Sequence, residues 1–362
     1  MNVNAQNISS NRKPKTFNNP ERFIEGWYWV IPSKNLRVGE VKPVTILGRE
    51  LVIYRGEDRR VMIFDAYCPH MGAHLAEGKV EGNELRCFFH HWKFDAEGIC
   101  VDIPCLDEPL STKLKVWPTA EKYETIWIWT GEIPQLPLPY IPELEQKECD
   151  VTFASRLVTN CHPNVVMINV IDAQHFNTVH KLPLKIDFEK HELNHNAIIF
   201  NNITPIDGDS FFIKLISRFY KNAITYSICY WYGSTGMVTF GPDFLHLHFM
   251  ISLRLIEEGK AEIMTLLMIK KRRGVLGRLY NQFVLWLTKI LGKKFIKGDT
   301  KLFQTIQFDL KTPIKADRSI MQFINHLERQ KPLMWKTWQL ARSQDVESLQ
   351  NRDRWRDERI ND

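Results

Sequence analysis

The chain has 362 residues, of which 44% are hydrophobic, 25% charged and 12% aromatic, the balance of a folded, water-soluble protein with room for a large core. Its net charge of +6, from 48 basic against 42 acidic residues, is too mild to call for nucleic acid and suits an acidic electron-transfer partner equally well. The length exceeds what one core usually sustains, so two domains are expected.

Residues 1–20 are polar, rich in Asn and Ser and lack the apolar stretch of a secretory signal, so they read as a disordered tail. Lys, Arg, Asn or Gln interrupts every apolar run before it reaches the length of a bilayer span. Seven cysteines, an odd number without the spacing of a disulfide framework, fit a reducing cytoplasm.

From 21 to 135 the pattern is one of short strands, at 27–31, 41–46, 50–54, 61–65 and 126–129, separated by turn residues such as Gly56-Glu57-Asp58 and Glu81-Gly82-Asn83. This predicts an all-β domain. The stretch 134–142 (PQLPLPYIP) holds four prolines and reads as a stiff, extended connector and domain boundary. A second, α+β domain is expected over 136–330, with strands near 150–159, 197–202, 210–219, 223–231 and 245–254 and a helix near 165–180. Between 275 and 294, Leu276, Leu279, Tyr280, Phe283, Leu287, Ile290 and Leu291 recur at helical spacing. The preferred reading is a helix laying this stripe on the sheet; weak peripheral contact with a membrane is the alternative, favoured by its basic flanks. Residues 331–362 are expected to form an exposed, charged C-terminal helix.

Two constellations carry chemistry. Cys68, His70, Cys87 and His90 form C-x-H-x16-C-x-x-H. Two thiolates and two imidazoles are the ligand set of a Rieske [2Fe-2S] cluster, with the cysteines on one iron and the histidines on the other. The competing reading is a zinc site, but zinc fingers group their cysteines and their histidines, whereas each loop here alternates Cys then His. His74 and His91 are expected to be spare. The second constellation is Asp172-x-x-His175-x4-His180 within an apolar helix. Two imidazoles and a carboxylate on one face of Fe(II) leave open positions for O2 and substrate. Residues five apart on a regular helix diverge by about 140°, so the helix must break or wind toward π, with Asn177 and Thr178 the expected place. The plain alternative is two ordinary histidines.

The segments CPHMGAHL from Cys68, CFFHHWKF from Cys87 and GICVDIP from Gly98 resemble the Rieske domain of ring-hydroxylating oxygenases, over about residues 26–104. The extra loop cysteines of respiratory and photosynthetic Rieske proteins are missing, which favours the oxygenase branch. His91 departs from the resemblance, since the family usually has Gly there. The segment from Asn169 to His180 is similar to the catalytic domain of the same family, most of all to 3-ketosteroid hydroxylases and cholesterol desaturases.

The resemblance implies a Rieske domain followed by a helix-grip (START-like) catalytic domain with an antiparallel sheet. It also implies a third iron ligand at the start of a distant helix. Asp299, in Gly298-Asp299-Thr-Lys-Leu302-Phe303, matches that segment; an exposed helix-capping Asp is the alternative, and Asp187, Glu189 and Asp309 are weaker competitors. Asp172, three residues before His175, is expected to accept the imidazole N–H, and in the family also reaches a Rieske histidine of the neighbouring subunit, here His90. A head-to-tail homotrimer follows from the resemblance. No glycine-rich nucleotide motif or plant-type ferredoxin spacing occurs, so a separate flavin reductase, with or without a ferredoxin, is implied. The expected reaction is O2-dependent hydroxylation or desaturation of a hydrophobic, polycyclic or terpenoid-like substrate. Aromatic cis-dihydroxylation is the chemical alternative, and an electron carrier or redox sensor the alternative of another class.

Overall fold

The computed structural model describes residues 15–19, 22–181, 186–205, 223–242, 244–257 and 259–333. The strand expected at 210–219 and nearly all of the helix expected at 331–362 lie outside the described residues. Part of the predicted tail is ordered: the backbone N–H groups of Thr16 and Phe17 donate to the Glu328 carboxylate at 2.8–2.9 Å.

The N-terminal part consists of β1 (Trp27–Pro32), β2 (Val41–Ile46), β3 (Arg49–Arg55), β4 (Val61–Asp65), β5 (Lys79–Glu81), β6 (Glu84–Arg86), β7 (Lys93–Phe94), β8 (Cys100–Asp102), β9 (Val116–Trp117), β10 (Thr119–Lys122) and β11 (Thr125–Trp129). They form three small antiparallel sheets, ordered β1-β11-β10, β2-β3-β4-β9 and β5-β6-β7-β8. There follow β12 (Cys149–Thr159), α1 (Pro163–Asn169), α2 (Ala173–Thr178), β13 (Glu189–Asn194), β14 (Ala197–Pro205), β15 (Ala223–Trp231), β16 (Thr235–Gly241), β17 (Leu247–Glu257), β18 (Lys260–Lys270), α3 (Gly274–Thr305) and α4 (Arg318–Glu328). Here the sheet is seven-stranded and antiparallel, in the order β12-β18-β17-β16-β15-β14-β13.

β1 and β11 join the two parts through the two-residue period of a strand. Trp27, Trp29, Trp127 and Trp129 enter the core of the seven-stranded sheet, while Tyr28, Val30, Ile126 and Ile128 enter the core of the β2–β4 sheet. Both faces of the pair are therefore buried. The proline connector is pinned across this seam. Its carbonyls still need donors, and Trp27 Nε1, Tyr232 Oη and Trp231 Nε1 donate to the carbonyls of Leu136, Pro137 and Tyr140 at 3.0, 2.7 and 3.0 Å.

Two helix expectations are corrected. The helix predicted over 165–180 is two short helices, because Asp172 caps a new one: its Oδ1 accepts from the backbone N–H groups of Gln174 and His175. The apolar stripe of 275–294 does not lie on the sheet. Leu276, Phe283 and Leu291 are 83%, 58% and 60% exposed, and α3 meets the sheet with Asn281, Val284, Leu285 and Lys289 instead. Polar anchors fix that orientation: Asn281 Nδ2 donates to Asp150 Oδ2 at 2.7 Å and Lys289 Nζ to the carbonyl of Phe153 at 2.8 Å.

Candidate metal centres

The first centre lies between two loops, one joining β4 to β5 and the other β6 to β7. Each loop closes on itself: the Cys68 N–H donates to the Ala73 carbonyl, and the Cys87 N–H to the Trp92 carbonyl, both at 2.9 Å. The four predicted residues, Cys68, His70, Cys87 and His90, surround one small cavity together with Trp92. The cysteines are buried, at 4% and 1% exposure, whereas His70 and His90 face solvent. The two imidazoles stand 4.6 Å apart, and His70 stacks on Trp92 at 4.5 Å with its plane 6° from parallel. Burial, with Cys87 alongside, holds the Cys68 thiol above its ordinary pKa. Two paired thiols on a dry side and two imidazoles on a wet side suit a cluster whose irons differ in ligands.

His91, the position at which the resemblance implies Gly, occupies the left-handed region at φ +60°, a conformation that glycine adopts at no steric cost. His74 is not part of the cavity: its Nδ1 accepts from the Ala76 N–H at 3.1 Å, and its ring meets Tyr67 edge-on.

The second centre rests on α1, α2 and α3. All seven residues of α1 are buried, so the carbonyls at its C-terminal end need donors from the protein. Tyr230 Oη donates to Met167, Tyr226 Oη to Val170 and Ser319 Oγ to Ile171, at 2.6, 2.8 and 2.7 Å. These bonds hold the break from which α2 starts. α2 ends at Thr178, close to the expected irregularity, and the His180 N–H reaches back to the His175 carbonyl at 3.4 Å, a five-residue step of π type. Both rings can then face one point.

That point is shared by Asp299. His175 Nε2 and His180 Nε2 are 3.0 Å apart, and Asp299 Oδ1 lies 3.6 and 3.2 Å from them. The three candidate ligand atoms fall within 4.8 Å of one another. His175 Nδ1 lies 3.0 Å from the carbonyl oxygen of Asp172; a carbonyl only accepts, so Nδ1 carries the proton and Nε2 presents its lone pair to the centre. This corrects the expectation for Asp172, whose backbone orients the ring while its carboxylate caps the helix. Asp299 is also placed differently: it stands near the C-terminal end of α3 rather than at a helix start, and is 9% exposed rather than a surface cap. Burial lowers the His180 imidazole below its ordinary pKa, against the pull of the Asp299 carboxylate.

Whether these residues suit a metal is answered by Asp299 Oδ1, which is buried, accepts no well-formed hydrogen bond and faces the two imidazole nitrogens. A buried carboxylate oxygen without donors is unfavourable unless a cation compensates it. Two neutral nitrogens and one carboxylate are the set that Fe(II) takes in oxygenases. The rival carboxylates are elsewhere: Asp309 pairs with Lys311, Glu189 with His191, and the Asp187 backbone N–H is bound to Asn202. Sequence reasoning assigned no role to Asn169, whose Nδ2 is 3.5 Å from His175 Nε2, or to Gly298, which lets α3 approach His180.

Residues 26–122 match the model of the Rieske [2Fe-2S] domain family. The cholesterol 7-desaturase nvd of Bombyx mori is 35% identical over 185 residues, 49% of this chain and 40% of that protein. The probable 3-ketosteroid-9-alpha-monooxygenase oxygenase component of Rhodococcus rhodochrous is 34% identical over 168 residues, 44% of this chain and 42% of its own. The N-terminal part of the chain is thus a Rieske [2Fe-2S] domain. The cofactor of that domain family is a [2Fe-2S] cluster, and the matches span only about two-fifths of each of these relatives. The fold extends further than the sequence match. Dicamba monooxygenase with dicamba bound superposes with TM-score 0.64 at 18% identity, covering 84% of this chain and 96% of that one. Pseudomonas putida CBB5 NdmB gives TM-score 0.64 at 17% identity over 83% and 89%.

Proposed function

We propose that this chain is a Rieske oxygenase, the terminal component of an electron-transfer system that hydroxylates or desaturates a hydrophobic, steroid-like substrate, using O2 and electrons from a separate flavin reductase, with or without a ferredoxin. The observation that carries this reading is the convergence of His175, His180 and Asp299 at one buried point. A bare electron carrier has no use for it. The relatives named for cholesterol and 3-ketosteroids support the substrate class.

In this reading Cys68, Cys87, His70 and His90 hold the cluster, and His175, His180 and Asp299 hold Fe(II). When bound, the cluster relays single electrons and the mononuclear iron offers the positions at which O2 is activated beside substrate. The chain's own residues prepare the place. The Asp172 carbonyl fixes the tautomer of His175, Asp299 supplies the compensating charge, and buried Ile171 and Phe176 help keep water out.

The cluster histidines open onto an apolar collar of Met71, Phe88 and Phe89, at 67%, 51% and 52% exposure. This supports docking of another protein surface at His70 and His90. We place there the next subunit of a head-to-tail homotrimer, in which His90 of one subunit meets Asp172 of the next and one heterologous interface repeats around a closed ring.

The test is metal content and O2 uptake of the reconstituted full chain. About three irons per chain and steroid-dependent O2 uptake are expected, with about two irons, an intact cluster spectrum and no turnover in Asp299→Ala. About two irons in the parental chain with no steroid-dependent uptake would leave an electron carrier and refute the proposal.

A further inference from the structure

The solvent face of α3 has no use in the chemistry above, yet it is the most apolar exposed surface among the described residues. Val275, Leu276, Leu279, Phe283, Trp286 and Leu291 are each exposed by 55% or more, and Tyr280, Leu287 and Ile290 by 39–46%. At about 100° per residue these nine positions fall on one side of the helix, opposite the side where Asn281 and Leu285 meet the sheet. A contiguous apolar face of this kind marks a surface that something covers.

Charge indicates what covers it. Residues 270–301 contain ten Lys and Arg against one acidic residue, Asp299, which is turned inward. That excess is larger than the +6 of the whole chain, so the remainder is acidic on balance. Six basic side chains, Lys147, Lys270, Lys271, Arg272, Arg273 and Arg278, outnumber Glu148 and Asp150 in an open cleft of about 550 Å³ beside the N-terminal end of the apolar face, where Lys271 pairs with Glu148 at 2.8 Å. Arg272 lies over the Tyr280 ring at 4.4 Å, placing a guanidinium at the rim of that face. Lys293 and Lys297 are exposed at the other end. Protein–protein interfaces are depleted in Lys at their cores and rims of one sign disfavour self-pairing. Aromatic and aliphatic side chains on one face with basic residues around it are what an interfacial helix presents to lipid. No helix of the described residues is long and apolar enough to cross a membrane.

We infer that α3 docks the protein on an anionic lipid bilayer, lying parallel to the surface, with its nine apolar side chains in the headgroup–acyl boundary and the basic cleft against lipid phosphates. The inference does not depend on the reaction proposed above. It bears on that reaction, because Asp299 follows Leu291 by eight residues, roughly 12 Å along the helix axis, so docking would hold the second metal centre near a phase in which apolar molecules dissolve.

The test is flotation of the full, metal-loaded chain with vesicles of phosphatidylcholine alone, or of phosphatidylcholine with about 30% phosphatidylglycerol, a range in which each basic residue near the surface adds about fivefold to binding. Binding to the anionic vesicles, and at least tenfold less to neutral vesicles or in high salt, is expected. Phe283→Ser/Trp286→Ser and Arg272→Glu/Arg273→Glu should each lower it by about tenfold or more. These side chains are exposed, so the visible spectrum of the cluster should stay unchanged and report an intact fold. Failure of the parental protein to float with anionic vesicles would overturn the inference, as would binding indifferent to lipid charge. If Phe283→Ser/Trp286→Ser instead shrinks the sedimenting species while parental and variant proteins both ignore vesicles, the face belongs to a second copy of the chain and the bilayer is refuted.

Discussion

Gly298 approaches His180 so closely that a Cβ placed on it would stand 3.6 Å from Cε1 of the imidazole and 3.1 Å from Cγ1 of Val179. Glycine inside a helix is less favourable than alanine by about 1 kcal/mol, a preference that the tight contact with Val179 opposes. Gly298→Ala should leave thermal stability unchanged or raise it by less than about 1 kcal/mol, the helix gain being offset by the tight contact with Val179. Gly298→Val should push α3 away from His180, lose about one iron per chain and spare the cluster spectrum. Full iron content in the valine variant would show that the approach is not needed.

His91 carries a left-handed backbone conformation that a side chain disfavours by about 1 kcal/mol or more. His91→Gly should therefore raise stability by about 0.5–1 kcal/mol after the entropy of the added glycine is counted, without altering the cluster spectrum, since His91 points to solvent. The check is the loss of visible absorbance on heating. Destabilisation by a similar amount would mean that the His91 side chain holds the loop through contacts of its own.

His162 starts α1, and its Nδ1 accepts from the Asn164 N–H at 3.2 Å, a bond that a protonated ring cannot make. Burial pushes this imidazole down to about 4, and that of His326 likewise to about 4. In the unfolded chain both titrate near 6.5, so as pH falls the unfolded state takes up protons first. The stability they contribute is full above about pH 6.5 and is lost from there down to about pH 4, by up to roughly 1.4 kcal/mol per pH unit for each histidine. His162→Asn keeps a cap acceptor and should flatten the melting temperature against pH over that window. An unchanged slope would remove His162 from the account.

The grouping of the four candidate cluster residues was legible because Cys68-x-His70 and Cys87-x-x-His90 each lie within one short loop, where sequence spacing is nearly spatial spacing. His175 and His180 were legible as types, but their convergence depends on a break that Asp172 creates by capping α2, which no periodicity reveals. The stripe of α3 was seen and its direction misread. Periodicity shows that a helix has an apolar side, not which side meets the protein. Here polar anchors, Asn281 on Asp150 and Lys289 on Phe153, decide it. Asn169, Trp92 and Gly298 went without roles because their partners are contacts, and contacts are set by the fold.

Asp172 does two things that one substitution separates. Its carbonyl orients His175, and its carboxylate caps α2 through the N–H groups of Gln174 and His175 at 2.9 and 3.3 Å. Asparagine caps a helix about as well as aspartate, whereas alanine costs about 1 kcal/mol. Asp172→Asn should therefore keep the fold, the orienting carbonyl and both metals, and remove only the negative charge. In the trimer proposed above, that charge accepts from His90 of the adjacent subunit and offsets the change of charge when the cluster is oxidised. Losing it should slow reoxidation of the reduced cluster in a single turnover by about 10–100-fold, with iron content unchanged. Asp172→Ala should show the same slowing together with lower stability, which distinguishes the electrical role from the cap. Reoxidation of Asp172→Asn at the parental rate, or full activity from a monomer, would require electrons to reach the iron by a route that does not pass this carboxylate.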